Sequence, residues 1–406
     1  MATAQSWLEI PEHNDFPITN LPYGVISYVD TPHQLATAIG QYVLPLGAAA
    51  EAGLFDGVLD HPVEILGADT LNPLMGSGPR VWRAVRARIT ELLTGQANEQ
   101  AVRPLLRPLP RVTCHLPFDV ADYVDFYSSK HHAENLGRIF RPNGEALTPN
   151  WTHLPIGYHG RAGTVVVSDT PVTRPHGQRL PTPGADAVHG PTIRLDIEAE
   201  VGFVVGTPTE LGQTVSVDQF AEHVFGVVLV NDWSARDIQA WEYQPLGPFL
   251  GKSFATSISP WVVTLDALAE ARVAPPHQDP SPLPYLLGDH WGYDLQLQVA
   301  LNGSVISRPP FADLYWTPAQ QLAHLTSNGA SLRTGDLYAS GTVSGPEAHQ
   351  RGSLIELTWN GTEPLKLGDG TTRTFLADGD TVSISATAQG LNGTRIGFGR
   401  VSGTIQ

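Results

Sequence analysis

Two glutamates that stand two positions apart, Glu198 and Glu200, form the first pair in this sequence that could do chemistry. On a strand, both side chains would point to the same face and lie about 7 Å apart, close enough to share a divalent cation. The alternative is a solvated polar face, because an open antiparallel sheet often exposes one side to water. The strand pattern by itself favours the solvated face.

The segment NDWSARDIQAWEYQPLGPFLGKS, which begins at Asn231, mixes charged and polar residues with Trp, Gly and Pro. Such mixtures line binding sites more often than they fill cores. The residues of this segment that could act are Asp232, Arg236, Asp237, Gln239, Tyr243 and Lys252. Asp232 comes just after the apolar run VFGVVLV, at the end of a predicted strand, where it could serve as a cation ligand or as a turn cap.

A third segment, DYVDFYSSKHHAENLGRIFR from Asp122, combines a carboxylate, two imidazoles and a guanidinium. Its candidates are Asp125, Tyr127, His131, His132 and Arg141. Histidine can take a proton near neutral pH, and arginine can hold a carboxylate. The alternative for either histidine is a surface position without a role, and the segment alone favours that alternative.

Thr342 and Glu356 belong to two further segments, DLYASGTVSG from Asp336 and GSLIELTW from Gly352. We expect the second segment to be an apolar strand, in which a carboxylate is unfavourable unless it is paired. His132 would be a natural partner for Glu356, because a general base needs a third group to hold its tautomer. The sequence leaves open whether the two residues meet.

Short strands joined by turns must position these side chains. The chain has 40 Gly and 34 Pro, and Val, Ile and Thr occur in many short runs, which favours a mainly β fold. The run TIRLDIEAEVGFVVG from Thr192 alternates apolar and polar residues and predicts a half-buried strand. YGVISYV from Tyr23 and TVSISATA from Thr381 predict two more strands, the second introduced by a turn at Asp378-Gly379-Asp380.

Few segments carry a helical pattern. The best one spans residues 79–94, with Pro at its first position and Gly just after its end. Two shorter helices are predicted to begin after the N-cap residues Ser216 and Thr317. Residues 274–284 read as a surface loop, and the polar, proline-marked stretch 96–110 precedes the predicted boundary between two domains.

The composition excludes several classes of protein. A net charge of −16, from 24 basic and 40 acidic residues, argues against a nucleic-acid partner, which would need clustered Lys and Arg. The single cysteine, Cys114, cannot form an internal disulfide. The N-terminus lacks the basic and apolar regions of a signal peptide, and no stretch of about twenty apolar residues could span a membrane. We therefore expect a soluble, cytoplasmic protein.

Five segments, in this order, resemble the fumarylacetoacetate hydrolase family. They are DFPITNLPYGV from Asp15, DFYSS from Asp125, PNWTHLPIGYHGRA from Pro149, NDWSARDIQAWEY from Asn231 and PLGPFLGKSF from Pro245. The resemblance extends from about Asp15 to Gly403, and the WEYQPLGPFLGKS run is specific to the fumarylacetoacetase group within the wider superfamily. It outweighs the solvated-face and surface alternatives given above.

The resemblance implies a fold and a set of metal ions. The fold would be a small N-terminal SH3-like barrel (residues 1–115) followed by a large β-roll or β-sandwich-like domain (residues 116–406) that forms a homodimer. Calcium would be bound by Asp125, Glu198, Glu200 and Asp232. Magnesium would lie near Asp232, Lys252 and Thr256.

The resemblance also implies a reaction, the metal-dependent hydrolysis of a carbon–carbon bond in 4-fumarylacetoacetate to fumarate and acetoacetate, the last step of tyrosine and phenylalanine catabolism. His132 would be the base and Glu356 the group that orients it. The expected oxyanion donors are Arg236, Gln239 and Lys252, and the expected substrate contacts are Tyr127, Arg141, Tyr158, Gln239, Tyr243 and Thr342.

The sequence departs from the family pattern at two places. It has QLATAIG from Gln34 where the family usually has Arg-Ile-Gly-Val-Ala-Ile-Gly, and His131 precedes the expected base, which leaves open which imidazole acts. Two other functions are alternatives to hydrolysis of fumarylacetoacetate. One keeps the fold but acts on acylpyruvates or as a decarboxylase or isomerase, and the other is a calcium-stabilised structural module without turnover. The full two-domain length and the set of Gln239, Tyr243 and Lys252 argue against the first. The His132 and Glu356 pair argues against the second, because simple cation binding needs neither residue.

Overall fold

The computed structural model describes residues 5–29, 31–182 and 184–406, and it is mainly β. Residues 1–4, at the start of the expected N-terminal domain, lie outside the described residues. The strands are β1 (Tyr23–Tyr28), β2 (Gln34–Ile39), β3 (Tyr42–Pro45), β4 (Arg107–Pro108), β5 (Val112–His115), β6 (Tyr123–Phe126), β7 (Gly157–His159), β8 (Val165–Val167), β9 (His176–Arg179), β10 (Val188–Pro191), β11 (Leu195–Asp196), β12 (Ala199–Val205), β13 (Val224–Asp232), β14 (Ser234–Ala235), β15 (Thr256–Ile258), β16 (Val263–Thr264), β17 (Arg272–Val273), β18 (Gly292–Tyr293), β19 (Leu295–Leu301), β20 (Ser304–Ser307), β21 (Leu337–Ala339), β22 (Leu365–Lys366), β23 (Thr372–Arg373), β24 (Thr381–Gln389) and β25 (Arg395–Thr404).

The helices are short, apart from one of 16 residues. They are α1 (Leu46–Glu51), α2 (Pro62–Leu66), α3 (Asn72–Gly76), α4 (Pro79–Thr94), α5 (Glu99–Val102), α6 (Lys130–Phe140), α7 (Phe220–His223), α8 (Arg236–Glu242), α9 (Pro318–Thr326) and α10 (Leu354–Leu357). Within the described ranges, none is both long enough and apolar enough to cross a membrane.

The N-terminal part is built on a five-stranded antiparallel sheet in the order β4-β3-β2-β1-β5. The predicted strand from Tyr23 is β1, and the predicted helix is α4, with Pro79 at its first position and Gly95 at its C-cap. Val85, Ile89 and Leu92 of α4 are buried, as the 3.6-residue period requires of the apolar face. Both elements were therefore predicted correctly.

An eight-stranded sheet forms the centre of the molecule, with the path β7-β6-β21-β12-β13-β15-β8 and β16 beside β13. Alternate side chains of β12 and β13 enter two different hydrophobic clusters. Phe203 and Leu229 belong to one cluster, whereas Val204 and Val228 belong to the other, which also holds the apolar side chains of the N-terminal sheet. Because the N-terminal part covers one face and the rest of the chain the other, both faces of the central strands β12 and β13 are dry.

The dry sheet corrects the prediction for the run from Thr192. The structure divides it into β11 and β12, and the side expected to be solvated is buried: Asp196 and Glu200 are 0% exposed and Glu198 is 4% exposed. Alternation of polar and apolar residues predicts one wet and one dry face. Here the polar residues alternate because they line a buried site.

Beside this sheet lies a four-stranded one in the order β20-β19-β24-β25. The predicted strand from Thr381 is β24, and the turn before it has Gly379 at a φ of 85°, a conformation that favours glycine. The helix predicted after Ser216 begins as a 3₁₀ turn (Val217–Gln219) with a capping box to Gln219, and this turn leads into α7. The helix predicted after Thr317 is α9, which begins with a capping box to Gln320. Residues 274–283 form the expected irregular loop at the surface.

The prediction that Glu356 lies on a strand was wrong. Glu356 belongs to the single-turn helix α10, in which the N–H of Thr358 donates to the carbonyl of Leu354 at 2.8 Å. The carboxylate of Asp196 accepts from the N–H groups of Leu354 and Ile355, which have no partner within the helix. A distant side chain, which the local pattern could not reveal, therefore stabilises this turn.

Candidate active site

Four buried carboxylates converge in the large sheet. Asp125 lies on β6, Glu200 on β12 and Asp232 at the end of β13, while Glu198 stands one residue before β12. Each residue offers one oxygen, and these oxygens lie within 4.8 Å of one another. The structure thus brings together the four residues for which the sequence predicted a shared cation.

Three oxygens of this cluster lack hydrogen-bond partners among the described residues. Oδ1 of Asp125 and both carboxylate oxygens of Glu200 are buried and unpaired among the described residues, although buried polar atoms are normally satisfied. Burial raises the pKa of Asp125 and that of Glu200 well above their usual range, and neighbouring carboxylates add to the rise. Oxygen donors that repel one another in a dry site suit a hard divalent cation, which would supply the missing charge.

Lys252 balances one side of the cluster. Its Nζ donates to Oε2 of Glu198 and, at 2.6 Å, to Oδ2 of Asp232. Burial would lower the pKa of Lys252, but Asp232 and Glu198 raise it above its ordinary value, so the amine remains an ammonium. Thr256, opposite Asp232 in the β13–β15 register, donates its hydroxyl to Oδ1 of Asp232 at 3.0 Å.

Arg236 holds the other side of Glu198. Its Nη2 donates to Oε1 of Glu198 at 2.7 Å, its Nη1 to Oε1 of Gln239 at 3.1 Å and its Nε to Oδ2 of Asp196 at 2.8 Å. Burial by itself would raise the pKa of Glu198, but Arg236, Lys252 and His132 together lower it. Glu198 is therefore the member of the cluster that stays ionised most readily.

His132 and Glu356, which lie 224 positions apart in the sequence, are in direct contact. Nδ1 of His132 is 2.7 Å from Oε2 of Glu356, and its Nε2 is 3.8 Å from Oε1 of Glu198. Burial would raise the pKa of Glu356, but His132 and the other donors lower it, so the carboxylate is ionised. The imidazole thus has one nitrogen on a carboxylate and the other directed toward the cluster. His131, next to it, is half-buried.

Three further side chains hold Glu356 in place. Ser344 and Ser353 donate to Oε2 at 3.0 Å and 2.7 Å, and Asn135 donates to Oε1 at 2.9 Å. With His132, both carboxylate oxygens have partners. Such a set of donors fixes the carboxylate and, through it, the tautomer and angle of the imidazole.

Two predicted substrate contacts, Tyr127 and Arg141, lie on the His132 side of the cluster. The ring of Tyr127 packs edge-on against the imidazole with centroids 5.4 Å apart. Arg141 follows α6, is exposed, and donates Nη2 to the carbonyl of Ala146 at 2.8 Å. Burial raises the pKa of Tyr127, and the positive charge of Arg141 partly offsets the rise.

The remaining predicted contacts differ in position. Tyr158 donates to Oδ2 of Asp232 at 3.3 Å and lines a cavity with Asp232 and Lys252. Oγ1 of Thr342 is buried without a described partner. Gln239 reaches Arg236, as noted, whereas Tyr243 is 45% exposed at the end of α8 and accepts a hydrogen bond from Gln244 instead of contacting the carboxylates.

The sequence reasoning did not single out Asn135, Ser344, Ser353 or Asp196. Asn135 stands three positions after His132, and on a helix that spacing places both residues on one face, so a helical reading of the segment could have found it. Asp196 continues the alternation of Glu198 and Glu200 and could have been added to them. The two serines carry no signal, because serine is common in loops.

Known proteins of similar sequence show which family this chain belongs to. The family model for the fumarylacetoacetate (FAA) hydrolase C-terminal region matches residues 122–406, and that for the fumarylacetoacetase N-terminal region matches residues 19–117. The chain belongs to the fumarylacetoacetate hydrolase family. It is 47% identical to the fumarylacetoacetase of Homo sapiens, over 98% of each chain, and 46% identical to that of Arabidopsis thaliana, over 100% of this chain and 99% of the relative.

Solved structures share the fold at much lower sequence identity. The fumarylacetoacetate hydrolase of Exiguobacterium antarcticum superposes with a TM-score of 0.56 at 16% identity, over 95% of this chain and 99% of that chain. A maleylpyruvate hydrolase from a Sphingobium species gives a TM-score of 0.51 at 15% identity, over 95% and 99%. At these identities the likeness concerns the fold alone.

Proposed function

We propose that this member of the family is a fumarylacetoacetase, which hydrolyses 4-fumarylacetoacetate to fumarate and acetoacetate. One observation carries the proposal: a buried imidazole, held by Glu356, faces a carboxylate cluster suited to a divalent cation, with Nε2 of His132 only 3.8 Å from Glu198. Eight relatives of similar length, at 42–47% identity, are named fumarylacetoacetase.

A divalent cation fits the cluster. Asp125, Glu198, Glu200 and Asp232 would hold it, and the unpaired oxygens of Asp125 and Glu200 support this assignment. When bound, the cation would act as a Lewis acid toward the oxygens of a β-diketone. We assign Ca²⁺ to this site because it accepts several carboxylates.

We place Mg²⁺ beside Asp232 and Thr256, which offer two oxygens to an ion that usually keeps several waters. Lys252 belongs to the same group of side chains, but an ammonium has no free lone pair. It would therefore balance charge near the ion and not coordinate it.

His132 would act as the general base. Its Nδ1–H donates to Glu356, which leaves Nε2 free to accept a proton from a water molecule. The Glu356 carboxylate would then stabilise the imidazolium that forms, and the fixed angle of the ring would keep Nε2 directed at the water. Attack by this water on the carbonyl next to the fumaroyl double bond would form a tetrahedral oxyanion. Its collapse would break the adjacent carbon–carbon bond, and the acetoacetate fragment would leave as an enolate that takes the proton from the His132 imidazolium.

Arg236, Gln239 and Lys252 would stabilise the negative charge that develops on the attacked carbonyl oxygen. An ammonium has three N–H donors, and Lys252 gives two of them to Glu198 and Asp232, so one remains. The amide N–H₂ of Gln239 is also available, because only its oxygen is engaged by Arg236. These donors are held in advance, which is how such groups lower a barrier in a dry site.

The terminal carboxylates of the substrate need cationic and hydroxyl partners. Arg141 would hold one of them by a charge-assisted contact, Tyr127 would contact the substrate near His132, and Tyr158 would contact it from the cavity next to Lys252. Thr342 would donate its unpaired hydroxyl to the bound substrate. Tyr243, at the surface, would have to turn inward to take part.

The proposal extends to the organisation of the chain. We infer an N-terminal domain of residues 1–115 with the SH3-like form, a catalytic domain of residues 116–406, and a homodimer in the cytoplasm. Size-exclusion chromatography with light scattering tests the dimer, and limited proteolysis tests the boundary near residue 115. A monomer, or cleavage confined to other positions, would contradict these assignments.

Incubation of the purified protein with fumarylacetoacetate and, separately, with simple acylpyruvates tests the function. We expect fumarate and acetoacetate from the first and much slower turnover of the second. Preferred turnover of an acylpyruvate would assign a different reaction to the same fold. Absence of any turnover with Ca²⁺ and Mg²⁺ supplied would indicate a structural module instead of an enzyme.

A further inference from the structure

Asp196 is a fully buried carboxylate that lies outside the four-residue cation cluster. It sits on β11, opposite Ser234 of β14. Its Oδ1 accepts from the N–H groups of Ile197 and Leu354, both at 2.7 Å. Its Oδ2 accepts from Nε of Arg236 at 2.8 Å and from the N–H of Ile355 at 3.1 Å. Each oxygen therefore has two donors, and the carboxylate has no freedom to rotate.

One group of these contacts leads to the cation cluster. Because Nε of Arg236 is tied to Asp196, the planar guanidinium can present its two other nitrogens only in one orientation. In that orientation Nη2 reaches Glu198 and Nη1 reaches Gln239. Asp196 also shares the charge of Arg236, which leaves Glu198 less completely neutralised and better able to hold a cation.

The other group of contacts leads to the general base. Leu354 and Ile355 are the first two residues of α10, and Glu356 is the third. Asp196 holds the backbone of this single turn by two hydrogen bonds, and the position of that turn sets where Glu356 meets His132. One carboxylate thus connects the proposed oxyanion donor with the proposed base.

We propose that Asp196 is a positioning residue for the reaction, which fixes Arg236 against Glu198 and Glu356 against His132 at the same time. This inference rests on the proposed function. Mutation of a residue that orients such groups without touching the substrate usually changes activity by about 10- to 100-fold. A purely structural role would instead lower stability and leave turnover per folded molecule intact.

Asp380 provides a matched control. It is 1% exposed and also accepts four hydrogen bonds, from Nε and Nη2 of Arg373, the N–H of Ala377 and the amide of Asn302, each at 2.8 Å. It stands in the turn before β24, and β24 belongs to a different sheet from the strands that carry the candidate site. Asp380→Asn should lower the melting temperature without changing kcat per folded molecule.

For Asp196→Asn we expect kcat to fall about 10- to 100-fold, with KM nearly unchanged because no contact with substrate is lost. Asp196→Glu retains the counter-charge for Arg236 but moves the carboxylate by one methylene group. We expect it to fold and still to lose at least about tenfold in kcat. Wild-type kcat in the Glu variant, or a loss for Asp196→Asn no larger than for Asp380→Asn, would overturn the proposal.

A second readout does not depend on turnover. The proton between Nδ1 of His132 and Glu356 should give a strongly downfield proton resonance in histidine-labelled protein, identified by its loss in His132→Gln. We expect this resonance to shift or vanish in Asp196→Glu and to persist in Asp380→Asn. An unchanged resonance in Asp196→Glu would overturn the link to the base. If the wild type failed to hydrolyse fumarylacetoacetate, the proposed function would fail while this measurement still decided the role of Asp196.

Discussion

Replacing His132 and Glu356, singly and together, tests whether they act as one unit. A positioned general base contributes about 10²- to 10⁴-fold, or about 3–5 kcal/mol of the barrier. We expect His132→Ala to lose a factor in that range while Ca²⁺ binding stays near normal, because His132 is not among the four carboxylates of the cation cluster.

The effect of Glu356→Gln follows from the contacts of the two oxygens. Oε2 accepts three hydrogen bonds, from His132, Ser344 and Ser353, whereas Oε1 accepts one, from Asn135. The amide oxygen of Gln should therefore take the Oε2 position. Its N–H₂ would then face Asn135, whose amide must turn over so that Oδ1 accepts the hydrogen bond. His132 then keeps a hydrogen-bond acceptor but loses the negative charge beside it. We expect the turnover rate to fall about 10- to 100-fold, which corresponds to about 1.4–2.7 kcal/mol of the barrier.

The double variant decides whether the two losses are coupled. Residues that act through one another have non-additive effects, so Glu356→Gln should add almost nothing once His132 is Ala. Initial rates of fumarate release would be compared for the wild type, both single variants, the double variant and the control His131→Ala. Multiplied losses, or a larger loss for His131→Ala than for His132→Ala, would refute the assignment of the pair.

Three other predictions concern the cation and the support of Glu356. Exhaustive chelation should abolish turnover and lower the melting temperature, and Ca²⁺ at 100 times its Kd should restore about 2.7 kcal/mol of stability; full activity in the stripped protein would contradict the cluster's role. Asp232→Ala should impair both folding and calorimetric Ca²⁺ binding, whereas Asp237→Ala, which removes contacts to Ile193 and Arg179, should spare Ca²⁺ binding; equal losses would mean that the wrong aspartate was chosen. Asn135→Ala should reduce kcat about tenfold with little change in melting temperature, and an unchanged kcat would show that the serines suffice to hold Glu356.

The elements with a local pattern were predictable from the sequence. The helix from Pro79 to Thr94 has a proline start, a glycine stop and a 3.6-residue apolar period, and all three are local signals. The turn before Thr381 is likewise encoded by neighbouring residues. The grouping of the four carboxylates followed from the family resemblance, since nothing in the spacing of Asp125 and Asp232 requires that they meet.

What failed depended on contacts between distant residues. Alternation around Glu198 cannot distinguish a wet face from a buried polar site, because the difference lies in what covers the sheet. The GSLIELTW segment reads as a strand by composition, yet Glu356 lies on a helical turn whose first N–H groups are bound by Asp196, 158 positions from Leu354. No local rule anticipates a partner at that separation.

Hydrolysis of fumarylacetoacetate in ¹⁸O-labelled water, with Ca²⁺ and Mg²⁺ present, tests the central claim most directly. If His132 activates water for attack on the carbonyl beside the fumaroyl double bond, the new carboxylate of fumarate must carry one ¹⁸O atom. Acetoacetate leaves as the departing carbon fragment and gains no oxygen atom in the reaction. It should therefore carry no more ¹⁸O than it acquires by exchange with water, which an enzyme-free control measures. The account would be contradicted if the ¹⁸O content of both products equalled that of the control, or if no cleavage occurred.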